Sequence, residues 1–165
     1  MIFQYHTNNK AIEVLNDLIK IHNDRIAGYQ HALEQQNIDS DLYEEFEKII
    51  SKSDDHKQQL REKVTELNGR AKTQAPILGK IYNAWTDLKV TFAGNTQKAI
   101  IANCLYNEEV ALHAYNAALS LHVEMTLEAL QLIEEQESEL KKVYEKMKRY
   151  KDARHTVDYR MLYYT

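Results

Sequence analysis

Residues 104–119, CLYNEEVALHAYNAAL, read as one face of an α-helix with a carboxylate set into its apolar stripe. At about 100° per residue the stripe passes through Ile101, Cys104, Leu105, Leu112, Tyr115 and Leu119, and Glu108 falls close to its middle. Glu109 and His113 fall towards the flank, where an i,i+4 pair marks the edge of a buried face. An isolated ionised carboxylate is too costly to bury, so Glu108 must pair, hold a cation or take up a proton.

The chain around this segment is built for helices. Its 165 residues include only four glycines and one proline, so there is little material for tight turns. With 44% hydrophobic and 28% charged residues, one domain with a real core is expected. The net charge of -4, with Lys and Arg scattered among Asp and Glu, gives no basic field for nucleic acid. No run approaches the ~20 apolar residues of a membrane span, and the N-terminal MIFQYHTNNK lacks a signal-peptide layout. A single Cys104 excludes an internal disulfide framework and a multi-cysteine zinc site, and a reducing cytoplasm is the expected compartment.

Helical spacing of Val14, Leu15, Leu18, Ile19, Ile26, Tyr29 and Leu33 predicts a first helix over 8–36. Leu42, Phe46, Ile49, Leu60, Val64 and Leu67 predict a second, capped by Ser40 or Asp41 and closed at Asn68-Gly69, where glycine can supply the left-handed cap. GRAKTQAP is then a linker ending in Pro76. Leu78, Ile81, Trp85, Leu88 and Phe92 predict a short amphipathic helix closed by Gly94. Asn95 or Thr96 can cap a third long helix through Leu119, and Met125, Ala129, Leu132, Ile133, Leu140, Val143 and Met147 predict a fourth over 122–150. The expected fold is all-α: an antiparallel four-helix bundle in one domain, 1–165, with the short helix in the crossover between the second and third long helices. Residues 151–165 form an aromatic C-terminal tail or helix extension.

Each long helix carries a polar anomaly on its apolar stripe: His22 and Arg25, Ser53 and His56, Glu108, and Gln136. The span midpoints coincide with these positions, so the side chains should meet halfway along a bundle roughly 40 Å long. Two readings stay open. In the first, Arg25 neutralises Glu108 while Ser53, Gln136, Tyr29 and Tyr115 complete a structural hydrogen-bond network. In the second, His22, His56 and Glu108 bind a metal, and two imidazoles with one carboxylate suit Fe, Mn or Zn. Cys104 reads as a small core residue, and no phosphate loop or nucleophile motif is present.

The segments LNDLIKIHNDRIAGYQHAL, SDDHKQQL, IYNAWTDLKVTFAG and CLYNEEVALHAYNAAL, in this order, resemble an uncharacterised bacterial family with a ferritin-like four-helix bundle. Asn23, Asp24, Arg25, Gly28, Tyr29, Trp85, Asp87, Leu88, Lys89, Glu108 and Tyr115 carry the likeness over about 12–145, and Asn107 departs from the family's usual Gly. A di-iron centre on this fold needs a Glu on each of two helices and Glu-x-x-His on the other two. Here Ser53-x-x-His56 and Gln136-x-x-Glu139 stand instead, and helix one offers His22 or Arg25, so ferroxidase chemistry is not implied. Tyr159, Met161, Leu162, Tyr163 and Tyr164 suggest a surface that docks on the bundle or on a second copy. The expectation is a non-enzymatic binding or self-assembly protein forming a homo-oligomer, a dimer at its simplest, with no nucleic-acid or membrane partner; the alternative is a degenerate, mononuclear metal-binding bundle, iron- or stress-related.

Overall fold

A computed structural model describes the backbone of residues 1–71, 79–88 and 94–163, and within it the side chains other than those of 3–7, 87, 88 and 155–163. Five α-helices follow in chain order: α1 Ile2–Leu33, α2 Ser40–Glu66, α3 Lys80–Leu88, α4 Gln97–Ser120 and α5 Leu127–Tyr163. A 3₁₀ turn, His122–Glu124, joins the last two. No strand occurs among the described residues.

Helix directions follow from side chains that meet across the bundle. Gly69, just past α2, packs on Ile12 near the start of α1, so α1 and α2 are antiparallel. Asp39 and Gln97 pair at the opposite end, with the Gln97 amide donating to the carboxylate at 2.7 Å, and α4 then runs back along α1. α5 is antiparallel to α2, because Gln136 meets His56, Lys146 meets Glu45 and Arg154 meets Asp39. The connection from α2 to α4 therefore traverses the length of the bundle, and α3 lies within it against α1 and α4.

The ends of the helices have local causes. The α2 terminus is a Schellman motif: Asn68 donates to the Thr65 carbonyl at 2.9 Å and Gly69 to the Val64 carbonyl at 2.8 Å. The left-handed position belongs to Asn68, φ 62°, and not to Gly69. Gly69 is needed for space, since a Cβ there would come within 2.8 Å of Ile12. The N-cap position of α2 is Asp39, one residue before the expected cap. Thr96 caps α4 as expected, its hydroxyl accepting from Ala99 N at 3.2 Å, and Thr126 caps α5 in the same way, from Ala129 N at 3.3 Å. The expected boundaries shift most in the last helix, which begins at Leu127 and continues to Tyr163, so that of the two forms expected for 151–165, tail or helix extension, the described part is helix extension.

Two apolar clusters fill the interior. One is built on Leu15, Leu18, Ile19, Leu60, Val64, Ala111, Ala118, Ala129 and Ile133, and takes in Trp85 of α3. The other, nearer the α1–α2 turn, contains Tyr29, Leu42, Phe46, Ile49, Ile100, Ile101, Cys104 and Met147. Buried His22, Arg25, Ser53, His56, Glu108 and Gln136 stand at intermediate heights on the four long helices.

Candidate functional site

The structure brings the polar anomalies of all four long helices into one layer. Glu108, fully buried on α4, receives a bidentate pair from Arg25 on α1: Nε donates to Oε1 at 2.7 Å and Nη2 to Oε2 at 2.9 Å. The Tyr29 hydroxyl adds a third bond to Oε1 at 2.8 Å. Nη1 of Arg25 donates to Ser53 Oγ on α2. A planar fork matched to a carboxylate is the geometry at which a buried ion pair is strongest. Burial alone would lower the Arg25 pKa, but the charge and hydrogen bonds of Glu108 reverse this and raise it.

A second chain of bonds crosses the same layer. The Tyr115 hydroxyl donates to Gln136 Oε1 at 2.7 Å, and Gln136 Nε2 donates to the His56 carbonyl at 3.1 Å and to Gln59 Oε1 at 3.0 Å. Because Tyr115 has a single hydrogen and spends it on Gln136, His22 must be the donor in its 2.7 Å contact with the Tyr115 oxygen. His22 Nε2 is then the protonated nitrogen and Nδ1 carries a lone pair. The His22 and His56 rings meet edge to face, 5.4 Å between centroids. Both imidazoles are neutral at pH 7: burial first, and the Arg25 charge next, hold His22 well below the ordinary range and bring His56 down to about 4. Burial also pushes the Cys104 thiol up to about 12, with the Glu108 charge adding to the shift, so this cysteine is protonated and inert as a nucleophile.

Thus the eight residues singled out in the sequence lie in one buried layer as two hydrogen-bonded sets: Arg25, Tyr29, Ser53 and Glu108 in one, and His22, Tyr115, Gln136 and the backbone carbonyl of His56 in the other. His22, His56 and Glu108 do not converge as three metal ligands. Both Glu108 oxygens face a guanidinium, and among the described residues no group of three or more His, Cys, Asp or Glu side chains is placed to hold a metal ion. Glu109 and His113 are exposed and lie outside the layer, lining a cavity of about 430 Å³ between α3 and α4.

Sequence periodicity missed a second set of buried polar contacts, those that dock α3. Asp17, 1% exposed, accepts from the Tyr82 backbone N–H at 3.1 Å, and a Cβ on Gly79 would overlap its carboxylate. Asp24 accepts from Trp85 Nε1 at 2.9 Å and from the Tyr82 hydroxyl at 3.1 Å. The available signal is the spacing, two aspartates seven residues apart on a face of α1 beside the main stripe. Lys89, Val90 and Phe92 of the quoted crossover segment lie outside the described residues, as do the side chains of Asp87 and Leu88.

Residues 10–121 match the family model described as a domain of unknown function, DUF2383. The chain belongs to the DUF2383 family. A solved structure described as a ferritin like, diiron-carboxylate protein from Bacillus anthracis str. Ames superposes with a TM-score of 0.68, covering 88% of this chain and 98% of that one. At 18% identity that likeness shows the fold, which is ferritin-like, and nothing of the chemistry. No curated protein matches the chain. The residues of this DUF2383 member do not fit a di-iron centre. Glu108 is the one carboxylate of the layer, Ser53 is bonded to Arg25, the Gln136 amide to its own partners, and Glu139 turns outwards to Lys142 and Lys52.

Proposed function

We propose that this DUF2383 protein is a non-enzymatic binding or self-assembly protein of the cytoplasm, in which a guanidinium does the structural work that a metal cation does in di-iron bundles. The supporting observation is that both oxygens of Glu108 accept from Arg25, which neutralises the carboxylate without any other cation. An ion pair satisfied in this way ties α1 to α4 in one register and leaves neither Glu108 oxygen free of the guanidinium. No helix among the described residues is long and apolar enough to cross a membrane, which agrees with action away from the bilayer.

Self-association is the favoured mode of action. α5 continues to Tyr163, carrying the aromatic-rich sequence YRMLY, 159–163, beyond Arg154, which lies level with the α1–α2 turn through its ion pair to Asp39. A second copy is the proposed partner for that extension, since a symmetric contact uses the same patch twice and needs no further component. Light scattering on the full chain and on a chain ending at Arg154 tests this. The proposal expects a dimer or larger species that becomes a monomer on truncation, and equal masses per chain in both would end it.

A further inference from the structure

We infer that Asn68-Gly69, the turn that ends α2, is a site of spontaneous covalent modification, where asparagine becomes aspartate or isoaspartate when the end of α2 opens. No other asparagine in the sequence precedes a glycine. Asn68 is exposed, so its carboxamide is open to water.

The chemistry needs only these two residues and water. The Gly69 nitrogen gives its proton to solvent base and attacks Cγ of Asn68. A new C–N bond closes a five-membered succinimide, the carboxamide C–N bond breaks, and the departing nitrogen takes up a proton and leaves as ammonia. Water then adds to one or other ring carbonyl and opens the ring, to an aspartyl residue in one case and an isoaspartyl residue in the other. Glycine is the partner that hinders the attack least, because it has no side chain beside the nitrogen.

The fold restrains the reaction at its first step. Gly69 N–H donates to the Val64 carbonyl at 2.8 Å, and Asn68 N–H to the Thr65 carbonyl at 2.9 Å. Swinging the Gly69 nitrogen onto Cγ requires rotation about the Cα–C bond of Asn68, which pulls that N–H away from Val64. The proton held by Val64 is also the one the reaction must remove. Two contacts with α1 oppose the rotation: Gly69 rests on Ile12 so closely that a Cβ would come within 2.8 Å, and Asn16 Nδ2 donates to the Arg70 carbonyl at 3.1 Å. Reacting geometry is reached only from a locally opened state, and the rate follows the population of that state. The product does not rebuild the cap. An isoaspartyl link runs the main chain through the side-chain carbon and misfits the Schellman motif, while an aspartyl residue places a negative charge where the helix dipole disfavours it. One event therefore loosens the join of α2 to α1 for good. This inference does not depend on self-association and survives or fails separately from it.

The full chain, incubated at mildly alkaline pH in native buffer and in guanidinium chloride, tests it through the tryptic peptide VTELNGR, residues 64–70, followed by mass spectrometry. The peptide should convert to aspartyl and isoaspartyl forms in denaturant, and at least about tenfold more slowly in the native protein. Ile12→Ala should raise the native rate about threefold or more and leave the rate in denaturant unchanged. If that variant fails to fold, Asn16→Ala, which frees the Arg70 carbonyl, supplies the same comparison. Absence of conversion in denaturant would overturn the inference, as would equal rates in the two conditions. An unchanged native rate in the folded variant would also overturn it.

Discussion

Arg25 and Glu108 are each 4% exposed or less, and each is tolerable only because the other is there. Removing one partner strands a charge, a loss of about 3 to 5 kcal/mol. Replacing both with apolar side chains of similar volume removes the desolvation cost with the attraction and is near neutral or stabilising. Chemical denaturation should therefore find Arg25→Ala and Glu108→Leu each strongly destabilising, with Arg25→Met/Glu108→Leu recovering most of the loss. Simple addition of the two single losses would contradict the pairing. His56 makes a prediction in pH. Its folded pKa of about 4 lies below the ordinary 6.5, so the native state holds it neutral while the unfolded chain binds a proton first. Its contribution is complete above about pH 6.5 and is lost as pH falls through 4, a change of about 3 kcal/mol at most. His56→Gln should flatten that part of the pH–stability curve, and an unchanged curve would show that His56 titrates normally. These residues could be read from the sequence because a polar side chain on an apolar stripe is conspicuous. That the buried Oδ1 of Asn107 has no partner among the described residues could not be read there, because it depends on what neighbouring helices supply.

At the scale of elements, α3 is a nine-residue helix too short to stand alone, and it is held by Trp85 packing and by two aspartates of α1. Burial raises the Asp17 pKa from 3.8 to about 6, against the opposing pull of the Tyr82 and Ile81 backbone N–H groups; on α1 itself Glu13 adds to the rise and Lys10 resists it. The sign is opposite to that of His56. A carboxyl whose folded pKa is raised contributes stability that is fully present below about 3.8 and is lost as pH rises through about 6. Asp17→Asn should remove this dependence, giving a smaller loss of stability between pH 5 and 7 than the wild type, read by denaturation at each pH. Parallel curves for the two proteins would contradict the assignment. The apolar stripes located every long helix, because burial of one face is written at a period of 3.6 residues. Ends were less legible: Asn68 takes the left-handed cap since its neighbour Gly69 is pinned against Ile12, a tertiary contact that no local preference encodes. α5 outran its apolar stripe because the polar, aromatic segment after Tyr150 has no helix breaker in it.

Across the whole molecule, two apolar clusters meet at a layer of hydrogen-bonded polar groups. The layer specifies register: sliding one helix by a turn would carry Glu108 away from Arg25 and into hydrocarbon. The antiparallel bundle was legible because few glycines, one proline and four stripes permit little else. The layer was legible because each stripe carries its anomaly near its midpoint. What the sequence could not choose between was a guanidinium and a metal ion as the partner of Glu108, since arginine and two histidines lie on the same stripes and only coordinates show which donor reaches the oxygens.

That choice has a direct test. Untagged protein, purified without chelator and then offered iron, manganese and zinc separately, should retain no stoichiometric metal on elemental analysis, and Glu108→Gln should change its stability without changing its metal content. Metal near one per chain, lost in Glu108→Gln and His56→Ala, would contradict the guanidinium account and make Glu108 a ligand.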